Sequence, residues 1–549
     1  MNIYKENIGT ILFISSLVIL FLLNLPLNLS VICANENQGF AFTWGQSFLK
    51  WGELACGRGI LFVSLYAAVL KIFGFNTYSI IAIHFISTVI LISIGILIYL
   101  ITKKLSESNF LGGLAVLLWV ILISTPIGAS PLVIEIRSHY NLNEENLCIL
   151  FSLLAIYCLL SGGNKLSFLA GLFSVCSLMS KANGLVICIA LLLWFLQLFL
   201  FSKKSFKFFV KDIIYCIFGI VVGLIFFNVL LYFLKGDLIP IWKDYFLLGS
   251  YTQGYLISLK SFLNAVLNLM TRHTTSTLNF ILFFIALSLF IIGIIKSYFR
   301  SNHQSIFWSL ISIWGIGNLC AILAPGEYQP YYYQLVWPSI AMVFAIGLKN
   351  IKKPLIFLAG LIVFFVFVFR VITAIPAHAH LYRDFSKVSI FNQVQSFQDP
   401  VLSYDINTSK RDGYLQLADR INLLLSDKKN TFYIFNFNKS GATGLTPLSY
   451  IYAKRYSPTT VDSSLLGVPT ILGKKLSVLK RDLTKRKPDI LIVSKEIYLK
   501  PWQIELMEPF LEWFGIFVQE NYSFLTNFNF THVDIEKKTE QFVVYKKIK

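Results

Sequence analysis

Charge is what this chain has least of: 14% of its 549 residues are Asp, Glu, Lys or Arg, while 56% are hydrophobic. A soluble domain carries about 25% charged residues, so a string of soluble domains is excluded in spite of the length. Internal repeats and long low-complexity tracts are missing too, which with the composition excludes disordered and collagenous chains. Cysteine is sparse, 8 in all, with no CxxC and no His-Cys spacing. Neither a disulfide scaffold nor a metal ligand set is legible in that pattern, and no metal or other cofactor is expected. Cys148, Cys158, Cys176, Cys188, Cys216 and Cys320 fall inside apolar runs as small apolar residues. Cys33 and Cys56 share one loop that an oxidising compartment could bridge. The HxH of His378 and His380 follows the last apolar run, where interfacial imidazoles need no ligand role. Acids are outnumbered, 28 against 47 bases, for a net charge of +19 and a pI near 9.4. The bases lie in short clusters between apolar stretches and in the tail, so they read as topology signals, and nucleic acid is not an expected partner.

What the chain has in abundance is apolar sequence, with a mean hydropathy of +0.68. About eleven apolar runs, uncharged except for Arg370 in the last, reach roughly 14 to 24 residues and are expected to cross a bilayer. They are 8–29, 78–101, 109–125, 147–160, 166–179, 185–201, 213–234, 278–295, 306–323, 335–348 and 355–375. Residues 60–73 are short, carry Lys71 and follow a Gly- and Trp-rich loop, which suits an interfacial or re-entrant helix. The first run has the look of a signal peptide with Ala34 near a cleavage site, but its apolar region is longer than a signal core.

With 60–73 not crossing, one face collects Lys103, Lys104, Lys165, Lys203, Lys204, Lys207, Lys211, Lys296, Arg300, Lys349, Lys352 and Lys353 against Glu107 and Asp212. That excess marks the cytoplasm, so the N-terminus is expected inside and the tail outside, in a plasma (inner) membrane. From about His378 the composition turns polar and mixed. Strands are expected at 431–437, 489–493 and 541–545, and helices at 414–425, 475–487 and 501–514. The fold class is thus an all-α polytopic membrane domain, residues 1–376, followed by a small α/β extracytoplasmic domain, residues 377–549.

Ionisable residues at the ends of spans are costly in lipid and are the first place to look for chemistry. On the expected external face the informative residues, with their polar neighbours, are Asn35, Glu36 and Asn37 after the first span, Arg58 before 60–73, Arg137, His139, Asn143, Glu144 and Glu145 before the fourth span, Lys181 between two spans, and Glu327 with Tyr331, Tyr332 and Tyr333. Each on its own reads first as a solvated loop residue, and it is their sharing of one face that points to a site. A loop from Lys235 to Asn279 holds Trp242 and an amphipathic stretch, a surface-lying helix that could border a lipid's groove.

These pieces resemble GT-C glycosyltransferases of the protein mannosyltransferase and aminoarabinose-transferase type (glycosyltransferase family 39). Asn35-Glu36-Asn37-Gln38-Gly39-Phe40, then Gly57-Arg58-Gly59-Ile60 and Leu70-Lys71-Ile72-Phe73-Gly74, is similar to that family's first external loop, with an acidic pair and a closing Phe-Gly turn. Asn143-Glu144-Glu145 resembles its Asn-x-Glu. Met179-Ser180-Lys181-Ala182-Asn183-Gly184 resembles its Leu-Thr-Lys-x-x-Gly turn, and Pro330-Tyr331-Tyr332-Tyr333-Gln334-Leu335 its His-Tyr-x-x-x-Leu. Lys487-Pro488-Asp489 onward is similar to its external C-terminal domain. The chain departs at Asn35, where the family has an acid, at Arg58-Gly59-Ile60, where it has Lys-Pro-Pro or Lys-Gly-Pro, and at Pro330, where it has His.

The resemblance implies a polyprenyl-phosphate sugar donor, an extracytoplasmic acceptor (lipid, glycan or protein) and contact with membrane lipids. Expelling a lipid phosphate needs no general acid, whereas a hydroxyl acceptor gains from one base. Glu36 is the expected base, Asn35 orients, and Glu145 is the second candidate. Arg58 and Lys181 are expected on the donor phosphate, whose charge they complement. Asn143, Tyr332 and Tyr333 are expected near the substrate. The rival classes are a transporter, which would be expected to show paired broken helices or mid-membrane charges, of which the centres of the spans hold almost none, and a catalytically inactive relative, for which the loss of an acid at Asn35 speaks.

Overall fold

In the computed structural model of the chain, the described residues are 2–30, 36–51, 59–124, 142–201, 203–235, 285, 287–296, 303–323, 330–350, 372, 374–376, 378–379, 418, 421–425, 427, 429–435, 450, 453–459, 472–495, 501–531 and 539–548. The chain divides into two compact units, each discontinuous in sequence. The first comprises Met1–Asn28, His84–Phe233 and Gly254–Tyr382; the second comprises Leu29–Ile83, Leu234–Gln253 and Arg383–Lys549.

The first unit is helical. Its elements are α1 (Asn2–Asn28), most of α4 (Thr77–Ser106), α5 (Asn109–Ser124), α6 (Glu144–Ser161), α7 (Asn164–Ser180), α8 (Leu185–Phe201), α9 (Lys203–Lys235), α10 (His303–Leu323) and α11 (Trp337–Asn350). Among the described residues, Asn7–Asn28, Tyr78–Ser106, Glu144–Ser161, Ala182–Leu200, Val210–Tyr232 and Gln304–Ile322 are long and apolar enough to cross a membrane. Shorter apolar helices cover Asn109–Ser124, Leu287–Lys296 and Trp337–Lys349. The expected run at 355–375 lies almost wholly outside the described residues. Large aliphatic and aromatic side chains stand exposed along α1 (Ile11, Ile14, Val18), α8 (Leu192, Leu196, Phe199) and α9 (Phe218, Ile225, Phe226). In water this would drive aggregation; in lipid it is the outer wall of a bundle. The chain is a polytopic membrane protein.

The α6–α7 hairpin decides where the functional groups fall. Gly162, at φ 71°, and Gly163, at φ 93°, reverse the chain in a conformation that L side chains rarely adopt. The two helices are 18 and 17 residues long, so the chain returns to the level at which α6 began. Small polar side chains join them: Ser152 Oγ and Ser177 Oγ are 3.0 Å apart, and Ser177 donates to the Cys148 carbonyl at 3.0 Å, the hydrogen-bonded contact that lets apolar-faced helices associate in lipid.

In the second unit α2 (Glu36–Trp51) packs on α3 (Ile60–Phe73), with Phe42 edge-on to Tyr66 at 5.0 Å. α3 buries Ile60, Phe62, Val63, Tyr66, Ala67, Val69 and Leu70 against protein. The tail is α/β: β1 (Phe432–Phe435), α12 (Leu472–Arg486), β2 (Ile490–Ser494), α13 (Pro501–Asn521), β3 (Tyr522–Thr531) and β4 (Thr539–Lys547). The sheet order is β1-β2-β4-β3, with β1 parallel to β2 and the other pairs antiparallel. Its helices cover an aromatic core in which Phe435 stacks on Phe514 at 4.7 Å. β3 was not expected from the sequence, and α13 runs past the predicted residue 514 to Asn521.

Candidate functional site

Helix α6 opens with Asn143 as its cap, the side-chain oxygen accepting the Asn146 N–H at 2.8 Å. Glu144 and Glu145 follow in the first turn, where the positive end of the helix dipole favours carboxylates, and both are buried. At the matching end of α7, Lys181 is extended and its N–H reaches the Ser177 carbonyl at 3.2 Å. The chain then turns through the 3-10 segment Ala182–Gly184. That turn lies tight on α7: a Cβ at Gly184 would collide with the Ser177 carbonyl, so only glycine permits the approach.

The hairpin thus brings Lys181 to Glu145, and Nζ forms an ion pair with Oε1. The pair is largely withdrawn from water, at 15% and 5% side-chain exposure for Lys181 and Glu145. A third element joins it. The 3-10 helix Pro330–Leu335 presents Tyr332, and the Lys181 ammonium lies 4.4 Å from the centre of that ring, within cation–π range. Tyr333 is buried beside it with its ring centre 5.9 Å from that of Trp337, and burial pushes its phenol well above the ordinary value. Carboxylate, ammonium and aromatic face thus converge from three separate stretches of sequence, in a nearly dry place where charge interactions are strong.

Of the residues singled out from sequence, Asn143, Glu145, Lys181, Tyr332 and Tyr333 gather here. Lys181 carries a carboxylate partner, where the sequence had it waiting for phosphate alone; an ammonium has three N–H donors and can serve both. Glu36 is the first residue of α2 in the other unit, and its side chain lies outside the described residues, as do Asn35, Arg58, Glu327 and the cysteines at 33 and 56. The sequence reading missed the polar floor of the site. Cys148, one turn below Glu145, stands 3.2 Å from Ser177 Oγ and is more than an apolar filler. The signal was available in the spacing of Ser174, Ser177 and Ser180 along the apolar second half of α7. Among the described residues no group of three or more His, Cys, Asp or Glu side chains forms a metal site.

No protein family matches the chain, and no curated protein matches it in sequence. Solved structures similar to it include the oligosaccharyltransferase AglB from Archaeoglobus fulgidus in complex with an inhibitory peptide and a dolichol-phosphate, at 12% identity and a TM-score of 0.46 over 96% of this chain and 74% of that one. The apo form of the Archaeoglobus fulgidus oligosaccharyltransferase aligns at 12% identity and 0.45, over 88% and 69% of the two chains. The same organism's enzyme tethered to an acceptor peptide aligns at 14% identity and 0.45, over 96% and 74%. At this level the likeness carries no functional argument, and the chain's function has to be read from its own side chains.

Proposed function

We propose that the chain is an integral membrane glycosyltransferase of the GT-C type, moving a sugar from a polyprenyl-phosphate donor to an extracytoplasmic acceptor. The observation that carries this reading is the Lys181–Glu145–Tyr332 cluster at the head of the α6–α7 hairpin. A lipid-phosphate sugar presents an anion, an anomeric carbon and hydroxyls at the membrane surface. An ammonium, a carboxylate and an aromatic face at a helix end match those three groups.

In the reaction the acceptor oxygen forms a bond to the anomeric carbon as the bond to the phosphate oxygen breaks. The acceptor proton passes to a carboxylate, and polyprenyl phosphate leaves as an anion that needs no protonation. Lys181, with Arg58 as second cation, stabilises that leaving charge. Glu36 takes the proton with Asn35 orienting it; Glu145, committed to Lys181, holds the ammonium in place. Asn143 and Tyr333 fix the scaffold that presents Tyr332. The N-terminus is cytoplasmic and the tail external, in a plasma (inner) membrane, with residues 1–376 forming the membrane domain and 377–549 the external one. Membranes carrying the gene should move label from a radiolabelled polyprenyl-phosphate sugar into a lipid, glycan or protein fraction, and membranes lacking it should not; equal transfer in both defeats the reading.

A further inference from the structure

Helix α2 is held by a short segment of the tail more than four hundred residues away. Gln46, 1% exposed, donates from Nε2 to the Arg455 carbonyl at 3.0 Å. One turn further along α2, the Lys50 ammonium lies 4.2 Å from the centre of the Tyr456 ring. Phe75, in the turn after α3, stacks on the same ring with centres 5.9 Å apart and planes 18° from parallel. Tyr456 is therefore gripped both by α2 and by the connection from α3 to α4.

The segment that does the gripping is itself fixed. Arg455 is 4% exposed, and its guanidinium donates to the carbonyls of Leu425 at 2.6 Å, Asp427 at 2.6 Å and Asn430 at 3.0 Å, and to Asn422 Oδ1 at 2.9 Å. A planar fork with its donors matched has little freedom to swing. β1 begins two residues after Asn430, so the carbonyl that accepts from Gln46 is tied through its own side chain to the edge of the sheet.

At the other end of α2 stands Glu36, ten residues or about 15 Å from Gln46 along one continuous helix. We propose that Arg455 and Tyr456 are positioning residues, fastening α2 and hence the place of Glu36, so that the tail is a working part of the transfer machinery. The turnover half of this proposal rests on Glu36 being the base; the mechanical half does not.

The test uses the purified full chain in nanodiscs, in three variants. Tyr456→Ala removes both ring contacts, Tyr456→Phe keeps them, and Gln46→Leu removes the hydrogen bond at similar volume. Amide exchange over residues 36–51 should quicken about tenfold in Tyr456→Ala and Gln46→Leu and stay as in the parent for Tyr456→Phe. Exchange in α6 and α7 should not change, which guards against general misfolding. If Tyr456→Ala loosens α6 and α7 as well, Gln46→Leu decides alone. In the same samples kcat for sugar transfer should fall about tenfold with the donor KM unmoved, and Tyr456→Phe should be spared. Unchanged exchange in α2 overturns the proposal whatever the activity. Loosened α2 with full turnover overturns the positioning role. A parent protein that transfers no sugar defeats the enzymatic reading, and exchange then still decides the fastening.

Discussion

Lys181 and Glu145 stand 36 residues apart in the chain and meet as a nearly dry ion pair, because two helices of almost equal length run out and back between them. Neither side chain has water enough to stand alone there. Lys181→Met should cost about 3 kcal/mol by stranding a buried carboxylate, and Glu145→Gln a similar amount by stranding the ammonium. The double change Lys181→Met with Glu145→Gln should be milder than the two costs added, with a coupling of about 1–3 kcal/mol. Thermal unfolding of the four proteins in one detergent measures it, and strict additivity would show that the pair is not formed.

Turnover separates the two carboxylates. Glu36→Gln keeps volume but cannot take a proton, so kcat should fall about a hundredfold while donor affinity holds. Glu145→Gln should instead weaken donor binding, since its effect runs through Lys181, by about 1.5–3 kcal/mol. Single-turnover kinetics beside equilibrium donor binding reads both; a dead Glu145→Gln with an active Glu36→Gln swaps the assignment.

Topology is checked by reporter fusions. A fusion after Lys203 should report cytoplasm and one after Arg383 the exterior. The opposite pattern means that α3, which buries one face against protein, crosses the bilayer and that the site faces inward.

His378 gives a pH dependence with a definite sign. Its Nε2 lies 2.8 Å from the Ser124 carbonyl, and burial, partly countered by that contact, holds its pKa below the ordinary 6.5. Below pH 6.5 the unfolded chain binds a proton that the folded one resists, so this contribution to stability is present above that pH and is lost on acidification. Lowering the pH from about 7.5 to 5.5 should reduce Tm, and His378→Gln should shrink the drop; an identical drop in the variant removes His378 as the cause.

Much of this was legible in the sequence because lipid leaves so few options. Apolar runs gave the spanning helices, but α2 lies in what read as a Gly- and Trp-rich loop, since it is no long apolar run, and the capping of α6 by Asn143 was not read from the sequence. Thr431 onward, Asp489 onward and Gln541 onward marked three of the four strands to within a few residues. β3 escaped because it follows Asn521 of α13 with no intervening turn residue and exposes Phe524 and Leu525, so no buried alternation betrays it. The site residues were named singly, but the pairing of Lys181 with Glu145 depends on helix length, and the seating of Lys181 on Tyr332 on a third segment. The bond from Gln46 to Arg455 spans 409 positions, which no local pattern can reveal.

The central claim is that a lipid phosphate is the leaving group. Purified protein in liposomes, given a polyprenyl-phosphate sugar and an acceptor extract, should release one polyprenyl phosphate for each sugar transferred, and Glu36→Gln should suppress both together by about a hundredfold. Loss of donor from one side of the bilayer with its sugar still attached, and no free polyprenyl phosphate, would contradict the account and make the chain a transporter.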